Sequence, residues 1–259
     1  MSGSSQVACL PLMTGGGSKC ISKFSTTQMH IRMNIMNLDR LASYLRNCKY
    51  PSALRHIDRG ILGRGFYPGA QGFIAGNSPL GGILLLGRDF GTKDYYNSLC
   101  GLPARDETAI TWRHTRDIYL ESLWCLPVWC SNYLIGVRKT GSSKGNIKNK
   151  LSASEWQEFE RYCWDFLQEQ VLLQRPLLVV IFGGDNRRDL TLPNRLGSVQ
   201  GSELKHIFGR NGEHHSAVVT FADHPHSLIR ECCKDVAREF AMQLRHRYET
   251  LRDDQSGML

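Results

Sequence analysis

Three polar side chains in this sequence follow apolar runs, where a binding site in a sheet would need them. Asp89 comes just after the apolar residues 83–86 and Gly87, Asn132 closes a second apolar run, and His224 follows another. A carboxylate, an amide and an imidazole can together stabilise a cation, read hydrogen-bonding groups and stabilise a developing anion. They indicate an active site if the fold brings them to one place. The alternative is that they mark turns, because polar residues often follow strands where the chain turns.

Four short apolar runs predict the strands that would position these residues. None of them alternates cleanly between apolar and polar residues, which is typical of strands buried on both faces. The runs cover residues 82–87, 127–133, 177–184 and 217–223.

Amphipathic segments between and after these runs predict helices. Residues 152–173 open with a capping box of Ser152 and Glu155, residues 227–251 form a second helix, and residues 36–48 precede the first strand. Strands that alternate with helices predict a three-layer α/β/α sandwich around a mainly parallel four-stranded sheet. Ligands bind outside the carboxyl ends of strands in such sheets, which is where the three polar residues are expected.

Net charge and cysteine content limit the classes of protein to which this chain can belong. The chain has 259 residues, and 32 Lys and Arg against 24 Asp and Glu give a net charge of +8. This surplus fits a polyanionic partner, although many proteins without one are equally basic. Nine cysteines without a C-x-x-C pair argue against a disulfide framework or a metal cage and for a reducing cytoplasm. We expect a flexible leader over residues 1–28, without a secretory signal, and a single domain over 29–259 without a membrane span.

The residues at the predicted strand ends resemble motifs of the uracil-DNA glycosylase superfamily. "GRDFGT" is similar to the family's G-Q-D-P-Y-H at Gly87 and Asp89, and "DHPHSLIR" is similar to H-P-S-P-L from His224 to Leu228. Between them, "WCSNYLIGVRK" looks like the family's strand that ends in a base-reading Asn, here Asn132. The similarity runs in order over roughly residues 80–245.

The resemblance implies a monofunctional DNA glycosylase that flips a base out of DNA and hydrolyses its N-glycosidic bond, leaving an abasic site, with no cofactor or metal. Asp89 would stabilise the oxocarbenium-like sugar and hold the attacking water. His224 would donate to the pyrimidine O2 as charge develops, and Asn132 would read the base edge. Gly87 and Gly91 would give the backbone room beside the base. The alternatives are that Asp89 caps a following helix or turn, that His224 is an ordinary loop histidine and that Asn132 forms a turn after its strand.

Two further positions have roles implied by the same resemblance. Leu228 matches the residue that enters the duplex where the base leaves, and filling that gap offsets the loss of stacking. The alternative is that Leu228 is the first core residue of the last helix. Phe90 is the first choice for the ring that stacks on the extruded base, with Tyr95, Tyr96 and Trp112 as competitors.

Phosphate contacts are expected from basic residues outside the motifs. The loop 138–150 carries five Lys or Arg residues, Lys144 among them, and Arg187 and Arg188 follow the third apolar run. His226 stands where the family has a serine and is a further candidate for DNA contact. The alternative is an ordinary solvated basic loop.

The first motif departs from the family where uracil-specific members carry a Tyr that blocks the 5-methyl of thymine. This chain has Gly91 there, beside Phe90 and Thr92. Loss of the ring opens the pocket at the pyrimidine C5 edge and predicts a damaged or 5-modified pyrimidine, such as the hydroxymethylated or glucosylated cytosine of phage DNA, and a role in antiphage defence. The alternatives are uracil excision in base-excision repair, a non-catalytic DNA-binding module of the same fold, and an unrelated nucleotide-processing enzyme. We expect a monomer that acts in the cytoplasm.

Overall fold

A mixed five-stranded sheet forms the centre of the protein in the computed structural model, which describes residues 41, 47–55, 81–89, 113–139, 147–183, 203–228 and 230–256. Its strands lie in the order β3-β2-β5-β7-β6, and a separate antiparallel pair joins β1 to β4. The seven strands are β1 (Leu54–Arg55), β2 (Ile83–Gly87), β3 (Val128–Asn132), β4 (Val137–Arg138), β5 (Leu178–Phe182), β6 (Glu203–Arg210) and β7 (Glu213–Ala222).

The sheet contains the four predicted strands and one further strand. β3, β2, β5 and β7 run parallel, and each lies within or overlaps one of the apolar runs. β6, which the sequence analysis missed, adds a fifth strand antiparallel to β7. The turn between them, Asn211-Gly212, has φ of 50° and 83°, a left-handed conformation that Asn and Gly adopt readily. The sheet is therefore mixed and five-stranded, not four-stranded.

Both faces of the sheet are buried, as the apolar runs indicated. Leu84 and Leu86 contribute to one hydrophobic cluster, whereas Ile83 and Leu85 contribute to the other. All four side chains are fully buried. This alternation is what the period of two along a strand requires when helices cover both faces.

The predicted helix after Ser152 is present as α1 (Ala153–Gln174). Its capping box is confirmed: the Ser152 backbone N–H donates to the Glu155 carboxylate at 2.9 Å, and the Glu155 N–H donates to the Ser152 hydroxyl at 3.3 Å. The apolar face of α1, including Trp156 and Phe159, packs in the cluster that contains Leu84 and Leu86. α1 therefore covers one face of the sheet.

The opposite face is covered by α2 (Glu231–Ser256) and by a π-helical turn, Thr115–Leu120, that the sequence analysis did not predict. The Arg245 guanidinium of α2 donates to the Ser122 carbonyl, two residues after the π-helical turn, at 2.9 Å and so joins α2 to that segment. No helix in the described segments is long and apolar enough to cross a membrane. The leader 1–28 and most of the predicted helix 36–48 lie outside the described residues.

Candidate active site

The carboxyl ends of the four parallel strands meet at one edge of the sheet, and this edge holds the predicted catalytic residues. Asp89 lies two residues after β2, and Asn132 is the last residue of the neighbouring strand β3. His224 lies two residues after β7, which is separated from β2 only by β5. Two strand spacings amount to about 10 Å. The fold thus places all three residues at one edge, with Asp89 and Asn132 on adjacent strands.

Gly87 and Asn132 face each other across the β2–β3 pair. A Cβ atom added to Gly87 would lie 2.4 Å from the Asn132 Oδ1, so only glycine leaves room for that amide. Asn132 is 4% exposed, and its Nδ2 has no hydrogen-bond partner among the described residues. A buried amide donor without a partner is rare in folded proteins, because desolvating it costs about 1–3 kcal/mol. A ligand oxygen is one group that would satisfy it.

Asp89 is joined to a buried arginine. The Arg138 Nη2 lies 3.6 Å from the Asp89 Oδ1, with the two side chains 3% and 12% exposed. At this separation the contact is an ion pair, not a hydrogen bond. Arg138 was assigned above to a basic loop that contacts phosphates. Its burial at the end of β4 corrects that interpretation, because the guanidinium faces the candidate site instead of solvent.

The backbone fixes the segment that carries Asp89. The Tyr133 and Leu134 N–H groups donate to the carbonyls of Gly87 and Arg88 at 2.9 and 2.8 Å. These two bonds continue the β2–β3 pairing beyond Asn132 as far as the residue before Asp89. The backbone that carries Asp89 is therefore held beside the end of β3.

The segment after His224 forms a short 3-10 turn, Pro225–Ser227, which the Ser227 side chain closes. The Ser227 hydroxyl donates to the His224 carbonyl at 2.7 Å. The His114 Nδ1 lies 2.7 Å from the Pro225 carbonyl, and because a carbonyl can only accept, the histidine donates. His114 is 8% exposed and ties the loop to the start of the π-helical turn. Sequence reasoning missed it, since nothing local links residues so far apart in the chain.

Leu228 is buried beneath this loop and not displayed at the surface. It is 2% exposed and belongs to the cluster formed with the π-helical turn and α2. Of the two interpretations given above, its position in the free protein matches the core residue. A role as a wedge in DNA would require the loop to open.

Replacing Leu228 with alanine should lower the free energy of unfolding by about 2–4 kcal/mol, because the change leaves a cavity in the cluster. Chemical denaturation would measure the change, with Ile207→Ala as a control, since Ile207 is 65% exposed and on β6. We expect the control to shift stability by less than about 0.5 kcal/mol. Unchanged stability in the Leu228 variant would contradict its assignment to the core.

Several predicted site residues lie outside the described residues. For His226 the backbone is described, in the 3-10 turn, but the side chain is not. Phe90, Gly91, Lys144, Arg187 and Arg188 lie wholly outside. Their expected roles in stacking, in opening the C5 edge and in phosphate binding stay predictions.

A cleft of about 230 Å³ opens beside the end of β7, on the side of α2. Its lining is mainly apolar, including Phe221 and Phe240, with Asp223 and Tyr119 as polar members. Burial, followed by the charge of Asp223, raises the pKa of the Tyr119 phenol above its usual value. None of Asp89, Asn132 and His224 lines this cleft. We therefore do not assign the flipped base to it.

This edge of the sheet offers a carboxylate, an amide donor and an imidazole. In the described segments, no three His, Cys, Asp or Glu side chains are arranged to hold a metal ion. Neither the protein-family models nor the curated proteins compared with this chain match it. Function is therefore inferred from the side chains at this edge.

Proposed function

We propose that the protein is a monofunctional DNA glycosylase with a fold of the uracil-DNA glycosylase type. It would flip a damaged or 5-modified pyrimidine out of DNA and hydrolyse the N-glycosidic bond, leaving an abasic site. The observation that carries the proposal is the buried Asn132 amide, which lies against Gly87 with its Nδ2 unpartnered among the described residues. A pyrimidine carbonyl would accept that hydrogen bond.

Asp89 and His224 have different roles in the proposed reaction. The C1′–N bond breaks and its electron pair leaves with the base, while Asp89 stabilises the cationic sugar. Water then adds to C1′ and gives a proton to Asp89, which passes it to solvent, and the base anion takes a proton from solvent. His224 donates to the pyrimidine oxygen on which negative charge develops. One water is consumed, and no redox partner is required.

A second candidate, a DNA-binding module without turnover, is favoured by one observation. Asp89 pairs with a buried arginine, and breaking a buried ion pair by removing one partner destabilises a protein strongly. The carboxylate would then be retained for the fold. The two candidates differ in whether the protein releases a base.

Base release from a panel of duplexes tests the proposal. The panel holds unmodified DNA and DNA with uracil, 5-hydroxymethylcytosine or glucosylated hydroxymethylcytosine, and alkali cleavage reports abasic sites. Cleavage at the modified cytosines is the expected result and would support a role in antiphage defence. Cleavage at uracil alone would indicate repair, and no cleavage anywhere would favour the non-catalytic module.

Affinity for DNA should fall steeply with salt if phosphates are contacted, because each contact releases condensed counterions. Three phosphate contacts predict a loss of about 40-fold between 50 and 200 mM salt. Fluorescence anisotropy with a labelled duplex would measure it. A Kd that stays constant over this range would argue against any nucleic-acid partner, catalytic or not.

A further inference from the structure

Arg138 is buried more completely than an arginine can be without compensation. It is 3% exposed, and removing a guanidinium from water costs several kcal/mol unless an opposite charge and hydrogen bonds replace the solvent. The carboxylate 3.6 Å away is Asp89, the residue with the central role in the proposed chemistry. A phosphate contact does not explain this burial.

The two partners are held by separate parts of the fold. Arg138 ends β4, which pairs with β1 so that Arg138 lies opposite Leu54. The Lys139 N–H donates to the Ala53 carbonyl at 3.1 Å and fixes the chain just beyond it. Asp89, by contrast, follows β2 in the main sheet. The guanidinium therefore approaches the carboxylate from a strand pair that is not part of the main sheet.

We infer that Arg138 is a positioning residue for Asp89, an inference that rests on the proposed function. Its charge attracts Oδ1, and because a carboxylate is planar, fixing one oxygen determines the direction of the other. The carboxylate is then aimed before substrate arrives. Geometry of this kind matters to rate, since a misplacement of about 1 Å can cost about 100-fold.

A purely structural ion pair would make a different prediction, and a matched pair elsewhere in the chain provides the control. The Arg210 Nη1 lies 3.5 Å from the Asp165 Oδ2, with side chains 27% and 34% exposed. Arg210 ends β6 at the hairpin, at the end of the sheet opposite the candidate site. Removing this second pair should leave base release unchanged.

The test compares Arg138→Lys and Arg138→Ala with Arg210→Lys and Arg210→Ala, each checked by thermal melting. Single-turnover base release and DNA affinity are measured separately on the duplex that the wild type cleaves best. We expect Arg138→Ala to lose about 100-fold in rate with affinity within about twofold. Arg138→Lys should lose about tenfold, because an ammonium is a point charge without the planar fork. Free guanidinium ion should partly restore Arg138→Ala.

Arg138→Lys keeps the buried charge and guards against the case in which Arg138→Ala does not fold. Full rate in the lysine variant would overturn the inference while leaving the proposed function intact. Equal losses of rate and affinity would also overturn it, because they indicate a structural pair. A wild type that releases no base from any duplex would overturn both proposals together. In an Asp89→Asn background, further replacement of Arg138 should add nothing to the loss of rate.

Discussion

Replacing Asp89 with asparagine should reduce single-turnover base release by about 100- to 1,000-fold while leaving DNA affinity within about threefold. The change removes the negative charge that would stabilise the cationic sugar in the proposed reaction, and groups that stabilise transition-state charge are worth about 100- to 1,000-fold each. We expect DNA affinity to depend on phosphate contacts and not on this carboxylate. A rate assay with excess enzyme and a parallel anisotropy titration would separate the two effects.

The ion pair with Arg138 makes a control necessary for this variant. Asparagine leaves the buried guanidinium without its counter-charge, so we expect the free energy of unfolding to fall by about 3–5 kcal/mol. Asp165→Asn removes the charge from a more exposed pair of similar length and should change stability by less than about 1 kcal/mol, with rate unaffected. If Asp89→Asn loses affinity and rate in parallel, the carboxylate is structural and the non-catalytic module is favoured.

Replacing Gly87 with alanine should reduce base release by about 100-fold and weaken discrimination between pyrimidines. The new methyl group would lie 2.4 Å from the Asn132 Oδ1 and force the buried amide to rotate away from the base. Overpacking of this kind also costs about 1–3 kcal/mol of stability. Relative rates across the duplex panel, measured together with denaturation curves, would report both effects.

Gly209 offers a matched control for the Gly87 variant. A Cβ atom there would also lie 2.4 Å from a side-chain atom, the His214 Nδ1, but His214 is exposed on the β6–β7 hairpin and can swing aside. Gly209→Ala should therefore leave rate and selectivity unchanged. In an Asn132→Ala background, Gly87→Ala should lose its stability cost. Unaltered rate and selectivity in the Gly87 variant would show that Asn132 does not read the base.

The sequence predicts the parallel strands well because their apolar runs have one physical cause. Strands covered by helices on both faces contain few polar residues, so they stand out without any periodicity. β6 lacks this signal, since it is an edge strand in which Phe208 is 1% exposed and the adjacent Ile207 is 65% exposed. The available signal was Asn211-Gly212 between two strand-like segments, a strong hairpin marker.

Only the part of the candidate site that lies at the strand ends could be predicted from the sequence. Parallel pairing puts Asp89 and Asn132 at neighbouring strand ends, so their proximity follows from the fold class. The pairing of Arg138 with Asp89 does not, because it depends on β4 turning back onto β1. The same applies to His114, which reaches Pro225 across 111 residues of sequence. Such contacts depend on tertiary placement, which neither spacing nor composition encodes.

The β6–β7 hairpin has a consequence for the order in which the protein folds. Its strands are joined by a two-residue turn, whereas the described parallel pairs join segments at least as far apart as Leu178 and Val218, 40 residues along the chain. Closing long loops costs entropy before any pairing compensates for it, so we expect the hairpin to form early and the parallel neighbours to dock later. His224 follows this early-forming hairpin, whereas Asp89 and Asn132 come together only when the parallel strands pair. A full-length chain that refolds from denaturant should therefore pass through a stage in which the segment before His224 is formed while the strand ends that carry Asp89 and Asn132 are still apart.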